Sequence, residues 1–138
     1  MKLPSESKEQ IAVVIHLRDR GFFVYHIPNG MKTDAKTAAR FKREGMMPGI
    51  PDLQVVLGNK QVIWIELKRR KGGVVSPAQK EVHAELEKRG HIVILAKGAK
   101  EAVEQFNQVL ESLGLLSPNE SLVPSHRDHL EASDKGDD

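Results

Sequence analysis

The chain has 138 residues, enough for one domain with its own hydrophobic core and too few for two. It contains no cysteine, which excludes disulfide bonds and thiolate zinc sites and leaves oxygen and imidazole ligands that favour a hard cation, Mg²⁺ or Mn²⁺. The net charge of +2 conceals an asymmetry, since residues 117–138 carry six acids and two bases, whereas residues 1–116 carry 13 acids and 19 bases. The net charge of +6 on residues 1–116 suits a polyanionic partner.

The sequence also bears on localisation and domain organisation. It has no apolar run of the ~18 residues that a membrane span requires, and its first residues lack the apolar stretch of a signal peptide. We therefore expect a cytoplasmic protein that has no membrane partner. Residues 117–138 are polar and rich in Ser and Asp, which predicts a disordered acidic tail behind a domain over residues 1–116.

Hydrophobic periodicity and helix-boundary residues predict eight elements. In chain order these are a helix over 5–20, a strand over 22–27, a short polar helix over 34–44, strands over 52–57 and 61–68, a helix over 76–89, a strand over 91–96 and a helix over about 99–113. The order αβαββαβα predicts an α/β fold with a central mixed sheet flanked by helices. The unit over 61–96 should form a right-handed crossover between parallel strands.

The first helix has a predicted apolar face of four residues: Ile11, Val14, Ile15 and Leu17. With Ile11 set at zero and a turn of about 100° per residue, this face centres near ~330°. Glu9 falls at about 160° and is predicted to point away from the core. Glu6 and Gln10 fall at about 220° and 260°, so they share a flank and could approach the edge of the sheet together.

The two central strands carry alternating apolar rows: Leu53, Val55 and Leu57, then Ile63, Ile65 and Leu67. Both rows face one core if the two residue numbers of each cross-strand pair add up to 118, as for Leu53 opposite Ile65. This register leaves a three-residue loop at 58–60. This register sets Asp52 opposite Glu66 on the other face, with Lys68 beside them. Opposed like charges are destabilising, so a shared cation is one explanation, with the Leu67 carbonyl as a further ligand. In the alternative, Asp52 ends a turn and Glu66 pairs with Lys68 on a solvated edge.

These residues carry a family resemblance. Pro51-Asp52 followed by Glu66-Leu67-Lys68 resembles the PD-(D/E)xK motif of the restriction-endonuclease-like nucleases. The wider context, EGMMPGIPDL at 44–53, WIELK at 64–68 and SPAQKEVHAELEKRGH at 76–91, resembles the VRR-NUC domain, which occurs alone in phages and bacteria. The resemblance covers about residues 5–106 and implies the restriction-endonuclease-like fold.

The resemblance also implies roles for particular residues. Asp52 and Glu66 would be metal ligands, and Lys68 would orient or activate the attacking water and stabilise charge on the phosphate. Gln79 would face the site from the next helix; the pattern Ser76-Pro-Ala-Gln79 also predicts a capping box, and both roles could hold. The family places a glutamate on the first helix, and the Glu-x-x-x-Gln spacing favours Glu6, as a ligand directly or through water, over Glu9.

The basic residues near the motif form two candidate strips for DNA phosphates: Lys32, Lys36, Arg40, Lys42 and Arg43, then Arg69, Arg70 and Lys71. An ordinary solvated surface is the alternative. Tyr25 could stack on a base, and His26 could approach the site or be structural. Phosphate contacts carry no sequence information, so we expect recognition of DNA shape or branching.

The expected function is that of a metal-dependent, structure-selective deoxyribonuclease. For a stand-alone domain of this kind the resemblance implies a homodimer that cuts four-way (Holliday) junctions in DNA repair or recombination, since two symmetric sites can address two strands. An exonuclease or flap nuclease of the same fold and a non-catalytic DNA-binding module are the alternatives. No small-molecule cofactor is expected, and the number of metal ions, one or two, stays open.

Overall fold

The structure, a computed structural model, describes residues 2–30 and 32–115 and follows the predicted element order. The elements are α1 (Glu6–Asp19), β1 (Phe23–His26), α2 (Ala35–Arg43), β2 (Leu53–Val56), β3 (Val62–Lys68), α3 (Pro77–Lys88), β4 (Ile92–Lys97) and α4 (Ala99–Ser112). Each boundary lies within one residue of its predicted position. The first three helices begin where a side-chain oxygen accepts a hydrogen bond from a free backbone N–H: Ser5 caps α1, Asp34 caps α2 and Ser76 caps α3.

The four strands form one mixed sheet in the order β1-β2-β3-β4. β2 is antiparallel to both β1 and β3, whereas β3 and β4 are parallel, as the crossover rule predicts. Leu53 pairs with Ile65 and Val55 with Ile63, which confirms the predicted register. The hairpin closes with a hydrogen bond from the Leu57 N–H to the Gln61 carbonyl (2.8 Å). The site-forming ends of β2 and β3 are therefore fixed by the alternation of apolar residues.

One face of the sheet forms the core together with α1 and α4. Its buried members include the two predicted rows, except for the partly buried Leu57, and residues from the flanking strands and helices: Val24, Leu53, Val55, Ile63, Ile65, Leu67, Ile94, Ala96, Ala102, Phe106 and Leu110. Phe22 meets Phe106 edge to face with ring centroids 5.0 Å apart. α3 contacts the other face, because its His83 lies against Glu66, whose side chain points away from this core. The motif residues thus lie on a second, separately covered face.

The orientation predicted for α1 is wrong. Ile11 and Ile15 are 54% and 57% exposed, whereas Glu9, Val13 and Leu17 are buried. The buried face centres near ~200° on the same wheel, about 130° from the predicted centre. The error arises because Glu9 behaves as a core residue: its carboxylate finds partners inside the protein, as described below, so its charge does not drive it to the surface. Glu6, near ~220°, lies on the buried side as well.

Two further expectations concern the limits of the chain. The predicted acidic tail at 117–138 lies outside the described residues, and so does the exact end of the predicted domain. In the part of the chain that is described, no helix is long and apolar enough to cross a membrane.

Candidate active site

The candidate site lies where β2 begins and β3 ends. The register that pairs Leu53 with Ile65 brings Asp52 level with Glu66. The Asp52 Oδ2 atom accepts a hydrogen bond from the backbone N–H of Leu67 (2.9 Å), so this carboxylate is tied directly to the strand that carries Glu66 and Lys68. The sequence predicted the Leu67 carbonyl as a metal ligand; its amide serves Asp52, and the role of its carbonyl stays a prediction.

The segment before Asp52 is held from two sides. Gly49 has φ of +93°, and a Cβ there would lie 2.4 Å from the Ala78 carbonyl oxygen, so this position requires glycine for both its conformation and its close approach to α3. On the other side, the Asp52 carbonyl accepts hydrogen bonds from the Ile27 N–H (2.9 Å) and from His26 Nδ1 (2.8 Å). His26 therefore does approach the site, through the backbone of Asp52.

Glu66 is a buried acid of the site whose pKa is strongly raised. It is 1% exposed, and burial raises the pKa of Glu66 to about 9, with further contributions from a side-chain hydrogen bond to Asp52 and from the Asp52 charge. The Lys68 ammonium lowers the pKa and the Glu6 carboxylate raises it, so both charges lie within electrostatic range of Glu66. The structure thus places Asp52, Glu66 and Lys68 together, with Glu6 within electrostatic range of Glu66; the sequence predicted all four residues for the site.

The carboxylate pair fits a divalent cation. Glu66 Oε1 is buried and has no hydrogen-bond partner, although an unsatisfied buried oxygen costs about 1–3 kcal/mol. A proton shared between two carboxylates satisfies part of this need, and a cation would satisfy it more fully. Within residues 2–30 and 32–115 no three acidic, histidine or cysteine side chains are grouped closely enough to enclose a metal. Mg²⁺ is commonly held by one or two carboxylates plus water and substrate phosphate, so two ligands suffice.

The acids of α1 differ in their surroundings. Glu9 is 3% exposed and accepts two hydrogen bonds from Arg70 (3.1 and 3.2 Å) and one from the Ala99 N–H (3.2 Å). It therefore joins α1 to the segment after β3 and to the start of α4. Glu6 and Gln10 are half-buried, and no such network engages them among the described residues. This difference agrees with the preference for Glu6 as the site acid.

α3 contributes one predicted residue and one that the sequence did not predict. Gln79 forms the capping box with Ser76, since its N–H donates to Ser76 Oγ (3.1 Å) and its Oε1 accepts from the Ser76 N–H (2.9 Å). One helical turn later, His83 is 7% exposed and its Nε2 lies 3.4 Å from Glu66 Oε1. Burial lowers the pKa of His83. The Gln79-x-x-x-His83 spacing, which sets both side chains on one helix face, was the signal that could have identified it.

The predicted DNA contacts are mostly exposed. α2 buries none of its residues, and Lys36, Arg40 and Arg43 line one face of it at i, i+4 and i+7, the α2 stripe. Lys32, Lys42, Arg69 and Lys71 are exposed as well. Arg70 differs, because its guanidinium is engaged by Glu9 while its side chain stays 48% exposed. The Tyr25 hydroxyl donates to Gln54 Oε1 on the same sheet face.

Comparison with known proteins agrees with this architecture. The mixed sheet with four helices and the Asp52–Glu66–Lys68 arrangement define a restriction-endonuclease-like domain of the PD-(D/E)xK superfamily. The sequence model of the VRR-NUC domain matches residues 5–100, and the chain belongs to this nuclease-type family.

Solved structures support the same assignment. A structure described as a VRR_NUC domain protein is similar with 26% identity and a TM-score of 0.68, over 80% of this chain and 92% of its own. A second, described as a VRR_NUC domain, has 22% identity and a TM-score of 0.56 over 73% of this chain and 92% of its own, and shares the fold. No functionally curated protein matches the chain significantly.

Proposed function

We propose that this protein is a Mg²⁺- or Mn²⁺-dependent, structure-selective DNA endonuclease, most specifically a resolvase of four-way junctions. The observation that carries the proposal is the Asp52–Glu66 pair: two carboxyl groups held side by side, one of them buried with an unsatisfied oxygen, beside the ammonium of Lys68. Such an arrangement costs stability in the metal-free protein and is understandable if a cation and a phosphate complete it.

In this proposal each side chain has a distinct task in breaking one P–O ester bond by water. Asp52 and Glu66 would hold the cation, and Glu6, whose charge acts on Glu66, would add a contact through a bound water. When bound, the cation would neutralise charge on the phosphate and acidify the attacking water. Lys68 lies on the same strand two residues beyond Glu66, so its ammonium can donate to a nonbridging phosphate oxygen and stabilise the charge that develops there.

Preference for branched DNA is supported by the arrangement of the basic residues. The α2 stripe and the basic side chains after β3 (Arg69, Arg70 and Lys71) offer contacts to phosphates. Such contacts position a nucleic acid without reading its sequence. Two copies of the chain would present two such sites to two strands of a junction. The exposed cross-strand neighbours Phe23 and Val56, 67% and 40% exposed, give apolar surface that supports such a homodimer.

The test is cleavage of labelled four-way junction, flap, single-stranded and linear duplex DNA with Mg²⁺, Mn²⁺ or EDTA. We expect paired, symmetric nicks in the junction that disappear with EDTA and fall about 10²–10⁴-fold in Lys68→Ala. Lys100→Ala, an exposed change on the far side of the sheet, is the matched control and should cut normally. Cutting only from DNA ends would identify an exonuclease, and binding without metal-dependent cutting would identify a non-catalytic module.

A further inference from the structure

Two buried polar atoms face each other behind the carboxylate pair. Glu66 Oε1 and His83 Nε2 are the buried side-chain atoms that lack a hydrogen-bond partner within the described ranges, and they lie 3.4 Å apart. That separation exceeds the usual N–H···O range of about 2.7–3.2 Å. The metal-free arrangement therefore leaves a donor and an acceptor side by side and unpaired, in a region where water has almost no access.

The proton on His83 can be placed from this geometry. The Glu66 carboxyl group already shares a hydrogen bond with Asp52, so a bare Nε2 would face a lone pair of Oε1 across 3.4 Å, which is repulsive. With the proton on Nε2, the imidazole is a donor aimed at an acceptor. The geometry therefore places the proton on Nε2, directed at Glu66 Oε1.

The backbone around His83 is rigid enough to make this contact specific. The capping box fixes the first turn of α3. Gly49 packs against the Ala78 carbonyl in the same turn, which joins α3 to the segment that ends at Asp52. One full turn later His83 reaches Glu66 across the sheet face. α3 therefore holds a fixed position relative to both halves of the motif.

We infer that His83 is a positioning residue for the metal site: its Nε2–H holds Oε1 of Glu66, leaving the other Glu66 oxygen and Asp52 to face the cation. This inference rests on the proposed metal site. Hydrogen-bond partners of metal ligands orient those ligands, and their loss commonly lowers metal affinity about 10–100-fold. His83 does not complete a three-ligand group with the acids in the described part of the chain, which favours the supporting role over direct ligation.

The inference is tested by titrating metal-free protein with Mn²⁺ and following the free ion by electron paramagnetic resonance, without DNA. His83→Leu removes the donor, and we expect Mn²⁺ affinity to fall about 10–100-fold. His83→Gln places an amide N–H near the former Nε2 and should recover most of the affinity. His16→Gln, on the exposed side of α1, is the control and should bind as the wild type does.

A second readout separates positioning from a purely structural role. In EDTA, urea unfolding of His83→Leu should show no loss of stability, because the removed atom had no partner in the metal-free protein. The inference is overturned if His83→Leu binds Mn²⁺ normally, if His83→Gln is as weak as His83→Leu, or if the wild type binds no Mn²⁺. Mn²⁺ binding with this variant pattern but without DNA cleavage would sustain the positioning role and refute only the nuclease proposal.

Discussion

Replacement of Glu66 by Gln should stabilise the metal-free protein, increasingly so as the pH rises. In the folded chain the pKa of Glu66 is raised from 4.5 to about 9. In the unfolded chain it returns to the ordinary value. Between these two values the folded state retains a proton that the unfolded state has released, so the stability contributed by protonated Glu66 is lost as the pH rises through this window. The Gln side chain does not titrate, so the variant does not lose stability in this way as the pH rises.

The magnitude follows from the width of the window. Each pH unit inside it changes the free energy of unfolding by about 1.4 kcal/mol, so the advantage of the Gln variant should grow by ~3 kcal/mol between pH 6 and pH 8. The amide also suits the site: its N–H can donate to Asp52, and its oxygen can occupy the place of Oε1 opposite His83. The variant should therefore fold while losing the charge that holds a cation.

The assay is urea unfolding in EDTA at pH 6, 7 and 8 for the wild type, Glu66→Gln and Glu81→Gln. Glu81 is exposed on α3 and serves as the matched carboxylate control. The stability gap between wild type and Glu66→Gln should widen steadily with pH, while the Glu81 variant follows the wild type. A gap that stays constant over this range would show that Glu66 is already ionised in the metal-free protein and would refute the reasoning.

Three further changes test other parts of the structure. Glu9→Ala leaves the Ala99 N–H without its acceptor, so the free energy of unfolding in urea should decrease by about 1–3 kcal/mol. Glu6→Ala should change this free energy little in the metal-free protein. Equal decreases in the two variants would contradict the distinction between the two acids. Gly49→Ala combines a positive φ with a 2.4 Å approach to the Ala78 carbonyl and should destabilise by roughly 1–3 kcal/mol or more; wild-type stability would be incompatible with that packing. Neutralising the α2 stripe to Gln should lower the salt dependence of duplex DNA binding, by ~0.9 in log–log slope for each phosphate that the variant no longer neutralises; an unchanged slope would exclude the stripe from the interface.

Apolar periodicity and capping residues predicted most of the fold because each of these patterns lies within a single element or a single hairpin. The alternating rows on either side of the 58–60 loop fixed the register, and the register set Asp52 opposite Glu66. Ser76 and Gln79 signalled their capping box in four consecutive residues. In each case the interacting groups are close in sequence, so the physical rule applies before the tertiary structure is known.

The remaining features depend on partners distant in sequence. α1 was predicted with the wrong face inward because its exposed side carries Ile11 and Ile15, and because a buried glutamate is unfavourable until its partners are known. Those partners are Arg70 and Ala99, 61 and 90 residues away. His83 escaped prediction because its one local signal, the Gln79-x-x-x-His83 spacing, does not show which residue the imidazole faces; only the tertiary structure places it against Glu66.

The sequence by itself determined the element order, the strand register and the two halves of the motif, since periodicity and capping are local. The tertiary structure alone decided which way α1 turns, which acid serves a structural network, and that His83 stands behind Glu66. These are long-range choices, in which the burial of a charge is tolerated only where another part of the chain supplies the compensating donor.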